Sequence, residues 1–239
     1  MKNETFDRRA FLKSAVAGGA VAAAAAVPLA HEAHAQQAPA AANASAPHPG
    51  YAYLNLDEQA FVEAVVDHMV PADELTPKGT DVGVNIYIDR ALAGGWGKGE
   101  RLYMQGPWKR GTPSQGYQLP LTPAELYRAG IPAANRACVK TYGKTFDKLD
   151  EAQREEFLKA WQAGKVVFEG GPPARTFFGM LYQNVMEGMF SDPIYGGNRD
   201  KAGWKLIGFP GVVATHAQNI EKYKDKPFPA KPLGISDLS

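Results

Sequence analysis

The chain has 239 residues, of which 45% are hydrophobic and 21% charged, with a formal net charge of +1 at pH 7. Totals this balanced imply no basic face for nucleic acid or anionic lipid. A single cysteine, Cys138, rules out an internal disulfide and a cysteine-held iron–sulfur cluster.

The first 35 residues read as a targeting segment. Arg8 and Arg9 precede Ala10, Phe11, Leu12 and Lys13, and an uncharged, alanine-dominated run follows from Ser14 to Ala30. That run is too short and too weakly apolar for a good membrane span, which takes about 20 predominantly apolar residues. It ends in Ala33-His34-Ala35, a small-x-small signature that places cleavage between Ala35 and Gln36. The stretch resembles a twin-arginine signal peptide, whose route exports folded proteins; an uncleaved anchor is the alternative. Its removal takes away Lys2, Arg8, Arg9 and Lys13 together with Glu4, Asp7 and Glu32, leaving a formally neutral chain. Residues 36–50 are Ala/Pro-rich without periodicity and read as a flexible leader.

From residue 51 to 239 the sequence reads as one domain. Asn55 and Glu58 form a capping box ahead of Phe61, Val62, Val65, Val66 and Met69 at helical spacing, and Pro71 stops that helix. Residues 82–89 alternate like a strand, yet Asp81 as N-cap and the following "RALA" favour a helix. Residues 93–121 carry Gly, Pro and Gln with Trp96 and Trp108, and read as a long irregular insertion, a kind of segment that tends to be functional or partner-bound. Thr122, Pro123 and Glu125 then supply three helix-start signals in register, and Pro132 should kink or divide that helix. Asp150 and Gln153 open the next helix, whose stripe is Phe157, Leu158 and Trp161 and whose stop is Gly164. The segment 174–190 is apolar round most of its circumference, which predicts a helix buried in the middle of a bundle.

Residues 191–211, "SDPIYGGNRDKAGWKLIGFPG", place Tyr195, Trp204 and Phe209 among glycines and prolines, too many for helix or strand. A short helical stretch and a Pro/Lys-rich tail follow. The sum is an all-α irregular bundle of four to six helices with long Gly/Pro/aromatic-rich loops. Cys138 falls in a helix interior and is expected to be buried.

The chain lacks Cys-x-x-Cys-His, Gly-x-Gly-x-x-Gly after a strand, Gly-x-Ser-x-Gly and His-Glu-x-x-His. "GGWGKG" at 94–99 has the wrong spacing for a nucleotide fingerprint. Beyond the leader's His48, the histidines are His68, one turn before Asp73 and Glu74, and His216. His68 with those carboxylates could sketch an acid–base or weak metal site, although a histidine at a helix C-terminus is the simpler reading. Asp192, Asn198 and Asp200 match no EF-hand spacing. The residues therefore propose no catalytic, cofactor or metal set.

The pattern Asp192-Pro193-x-Tyr195-Gly196-Gly197-Asn198, then Gly203-Trp204-Lys205 and Gly208-Phe209-Pro210-Gly211, resembles the small subunit of membrane-bound gluconate 2-dehydrogenase and its relatives. "VPADELTP", "YIDRALAGGWG", "GPWKRGTPSQGYQLPLTPAELYRAG" and "YGKTFDKLD" are similar to the same family, so the likeness covers nearly all of the chain after about residue 54. The resemblance implies a periplasmic heterotrimer attached to the inner membrane. In it, a large FAD subunit oxidises the sugar acid and a multihaem cytochrome c subunit passes electrons to ubiquinone. The small subunit, with no known cofactor, supports folding, stability and twin-arginine export of the flavoprotein. Equivalent small subunits serve fructose, sorbitol, keto-gluconate and glucose dehydrogenases.

The expected partner interface comprises Asp192, Tyr195, Asn198, Arg199, Trp204 and Phe209, with Trp96 and Trp108 from the insertion; the glycines would let the backbone approach the partner's wall. Two readings of other classes compete: an independent periplasmic enzyme using His68, Asp73 and Glu74, and a carbohydrate-binding module stacking sugars on Trp96 and Trp108.

Overall fold

A computed structural model describes residues 50–109, 111–212, 217–229 and 231–238. The leader positions Arg8, Arg9, Phe11, Leu12, Ala35, Gln36 and His48, together with His216, lie outside the described residues. Among those described, the elements are α1 (Leu56–Met69), α2 (Val84–Ala93), α3 (Pro123–Tyr142), α4 (Glu151–Gln162), α5 (Ala174–Phe190), α6 (Ala202–Ile207) and α7 (Ala217–Lys222). The fold is all-α, and the sole β-type pairing among the described residues is a parallel bridge between Gly211 and Leu233.

Local signals set the helix starts. Asn55 accepts from the Glu58 N–H at 3.0 Å while Glu58 accepts from the Asn55 N–H at 3.1 Å. Thr122 with Glu125 and Asp150 with Gln153 repeat this reciprocal cap at α3 and α4, each satisfying amides that a helix otherwise leaves orphaned. The left-handed Gly143 and Gly164 follow α3 and α4. Helix α2 departs from the expected cap. Gly83 in the left-handed region, not Asp81, precedes its first residue. A side chain there would meet the Gly196 carbonyl at 2.4 Å, so the start of α2 is shaped by a distant loop pressed against it. Pro132 does not divide α3, which runs unbroken for 20 residues. The proline sits on the exposed side, where water can reach the carbonyl its ring frees.

Helix α5 packs against α2, α3, α4 and α6. One stripe of it, Phe177, Leu181, Val185 and Met189 at four-residue steps, is buried. The helix is not buried all round, as its composition suggested: Tyr182, 49% exposed, and Met186 face outward. The core beneath is aromatic. Trp161 has the rings of Phe157, Phe168, Phe177 and Phe178 within 5.2–5.7 Å, and Tyr127 meets Phe177 edge-on at 5.2 Å. Such pairs add roughly 0.5–1.5 kcal/mol each beyond burial. Gly130 makes room for this contact, since a Cβ there would lie 2.5 Å from the Phe177 ring.

Polar anchors fix the edges. The buried Asp89 carboxylate accepts the backbone N–H groups of Ala52, Tyr53 and Leu54 at 2.6–2.9 Å, tying the incoming chain to α2. Arg128 pairs with the buried Glu58 and donates to the Tyr53 carbonyl at 3.1 Å. Burial raises the Glu58 pKa, opposed by the Asn55 N–H and by Arg128. No helix among the described residues is long and apolar enough to cross a membrane.

Candidate functional site

The segment after α5 is more ordered than its composition suggested. It contains α6 and two single 3₁₀ turns, Pro193–Tyr195 and Arg199–Lys201. Two of its glycines serve contacts within the chain: a Cβ on Gly197 would lie 2.2 Å from the Gly188 carbonyl, and one on Gly203 would lie 2.2 Å from that of Met189. Absent side chains let the loop backbone rest directly on the last turn of α5.

Polar staples hold this shape. The fully buried Asn198 donates from Nδ2 to the Ser191 carbonyl at 2.8 Å and accepts the Gly203 N–H at 2.9 Å. It adopts φ 46°, and Asp200 and Lys201 follow at 55° and 57°. Left-handed backbone costs a non-glycine residue about 1–2 kcal/mol, so the surrounding contacts must impose it. Arg199 supplies some of them, its backbone N–H donating to the Val82 carbonyl and its guanidinium to that of Asp81, each at 2.9 Å. Asp192 accepts the Ile194 N–H on one oxygen at 3.0 Å and the Ile235 N–H on the other at 2.8 Å.

Of the residues expected at a partner interface, Asp192, Asn198 and Trp204 are inside the chain. Trp204 is 4% exposed and donates its indole N–H to the Phe190 carbonyl at 2.7 Å. These three shape the loop from below. Tyr195 at 56% exposure, Arg199 and Phe209 do face outward, with Phe209 edge-on against Trp204 at 5.2 Å. Trp96 packs at the margin of the core, and Trp108 is partly exposed in the irregular insertion. The sequence reading missed Ile194, 51% exposed, and Leu206 and Ile207 on α6. Their signal in the sequence is aliphatic residues within a Gly/Pro-rich segment.

The alternative acid–base cluster does not assemble. His68 Nε2 lies 2.8 Å from Glu155 Oε2 on α4. Asp73 is occupied by its own turn, accepting the N–H groups of Thr76 and Leu75 at 2.7 and 2.8 Å, which lower its pKa. Lys159 first and His68 second lower the pKa of Glu155. His68 lines a shallow depression with Asp150, Glu151, Ala152 and Glu155, where Asp150 is committed to capping α4. Among the described residues no group of three or more His, Cys, Asp or Glu side chains is placed to hold a metal ion. Cys138 is buried as expected, and burial pushes its thiol up to about 12, far from thiolate reactivity.

The described residues form a helical protein with a stapled loop that carries outward apolar side chains. The sequence model described as gluconate 2-dehydrogenase subunit 3 matches residues 56–211. The chain belongs to the gluconate 2-dehydrogenase subunit 3 family, and is thereby a component of an oxidoreductase complex. Comparisons with curated proteins and with solved structures gave no significant match.

Proposed function

We propose that this chain is the accessory, non-catalytic subunit of a periplasmic gluconate 2-dehydrogenase complex at the inner membrane. Its role is to support folding, stability and twin-arginine export of a FAD-containing catalytic subunit. A haem c cytochrome subunit takes the electrons onward. The observation that carries this reading is family membership across residues 56–211. Two features support it: the Arg8-Arg9 leader, which resembles a signal for folded cargo, and a loop whose exposed Tyr195 and Phe209 suit a protein contact. Aromatic side chains enriched at interface centres can dominate binding energy.

The shared-export idea has a direct test. Changing Arg8 and Arg9 together to lysine should leave both this chain and the FAD subunit in the cytoplasm, as read by cell fractionation and flavin fluorescence. Arrival of the flavoprotein in the periplasm without this chain would refute it. The isolated chain should be colourless and should not turn over gluconate with an artificial electron acceptor; turnover would overturn the non-catalytic assignment.

A further inference from the structure

The family match ends at residue 211, but the chain does not leave the loop there. Beyond it, Leu233 pairs with Gly211: the Val212 N–H donates to the Leu233 carbonyl at 2.7 Å and the Leu233 N–H to the Pro210 carbonyl at 3.1 Å. Two residues on, the Ile235 N–H reaches Asp192. Lys201 Nζ then meets Asp237 Oδ2 at 2.5 Å. Four successive contacts thus lay residues 233–237 along the stapled loop.

What this arrangement presents is apolar. One carboxylate, Asp192, binds the amides of both Ile194 and Ile235, which brings the backbones at these two isoleucines to the same side chain. Ile194 is half exposed and Ile235 41% exposed, with Leu233 and Leu238 also open to solvent. Single exposed aliphatics need no explanation, whereas several held together by ordered backbone mark a contact surface. Two arginines stand at the margin of the loop, with the exposed Asp200 beside the second. A Cβ on Gly196, the neighbour of Tyr195, would lie 2.9 Å from Arg90 Nη1, and Arg199 donates to a backbone carbonyl only. Among the described residues neither guanidinium takes part in an ion pair.

We propose that residues 233–238 complete the partner-binding surface, making it a composite of loop and C-terminal segment. Its occupant is a protein subunit of the dehydrogenase, with an apolar centre that meets Ile194, Tyr195 and Ile235 and carboxylates at its rim that meet Arg90 and Arg199. An apolar patch with charge at its margin has the anatomy of a protein interface, and rim charges chiefly set the association rate. This rests on the accessory-subunit reading. It adds that part of the contact lies outside the region shared with the family.

The experiment co-expresses the full chain with the FAD-containing subunit and measures affinity by interferometry, with melting temperature as a control. Ile194→Asp and Ile235→Asp should each weaken binding by about ten-fold or more while melting like the parent, because both side chains are already exposed. Arg90→Glu should slow association and flatten its salt dependence. If Ile235→Asp lowers the melting temperature, Leu238→Asp replaces it. Parental binding by both C-terminal variants, with Ile194→Asp impaired, would exclude the C-terminal segment from the surface. Absence of binding by the unmodified chain would instead overturn the accessory-subunit reading, and the surface with it.

Discussion

Two tryptophans stand at opposite ends of α5, and their surroundings differ. Trp161 donates its indole N–H to the carbonyl of Ala174, the first residue of the helix, at 2.8 Å. Trp204 donates to that of Phe190, the last, at 2.7 Å. Trp161 is enclosed by four rings from its own chain. Trp204 is nearly as buried, yet the ring laid against it, Phe209, is itself 43% exposed. One end of α5 is a finished core, and the other is a platform whose outer layer faces solvent. The same chemical device closes a fold at one end and supports a surface at the other.

The largest effect should come from the finished end. Trp161→Ala is expected to cost about 3–5 kcal/mol, the range for removing a buried aromatic, as read by chemical denaturation. Trp204→Ala should cost less, because it has fewer rings around it, but should weaken association with the proposed FAD-containing subunit more than it lowers the melting temperature. An equal loss of stability in the two variants, with association intact, would break the comparison and make both ends core.

Much of the finished end was legible from local sequence. Capping boxes at Asn55, Thr122 and Asp150 act within three residues, so their signal survives without tertiary context. The surface end was less legible for two physical reasons. Apolar periodicity reports that a face avoids water, not which polypeptide covers it, so Tyr182 and Met186 read as core although they are exposed. The contact between Asp192 and Ile235 spans 43 positions, and a Pro/Lys-rich composition gave no hint that the tail folds back. The left-handed backbone at Lys201 is likewise imposed by neighbours, since lysine does not announce it, whereas Asp200 is of a type that enters that region more readily.

A middle-sized effect separates staple from surface. Asn198→Ala removes two hydrogen bonds inside the loop, leaves the Gly203 N–H without its acceptor and replaces asparagine by a residue less tolerant of left-handed backbone. Leaving such a buried group unsatisfied costs about 1–3 kcal/mol. Asn198→Gly should recover the backbone part, roughly 1 kcal/mol, without the hydrogen bonds. Urea midpoints in the order parent, Gly, Ala would support this division. Equal midpoints for Gly and Ala would show that the positive φ carries no strain.

The smallest effect concerns acid. Lys201 first, then the Gly234 N–H, lowers the Asp237 pKa below its ordinary 3.8. A carboxyl with a depressed folded pKa contributes stability above its unfolded value and loses it as pH falls through the folded one. The C-terminal segment should therefore loosen below about pH 4, while the Trp161 end, which is held by apolar contacts, does not respond through this group. The group is exposed, so global stability should scarcely move; the change should appear locally. Hydrogen exchange at the amides of Leu233 and Ile235, corrected for the intrinsic pH dependence, should accelerate between pH 5 and 3 relative to amides in α5. Asp237→Asn should show that faster exchange already at pH 7. If the amide of Ile235 stays protected in Asp237→Asn, Asp192 and the Gly211–Leu233 pairing suffice to hold the segment, and the ion pair is a passenger on the surface it borders.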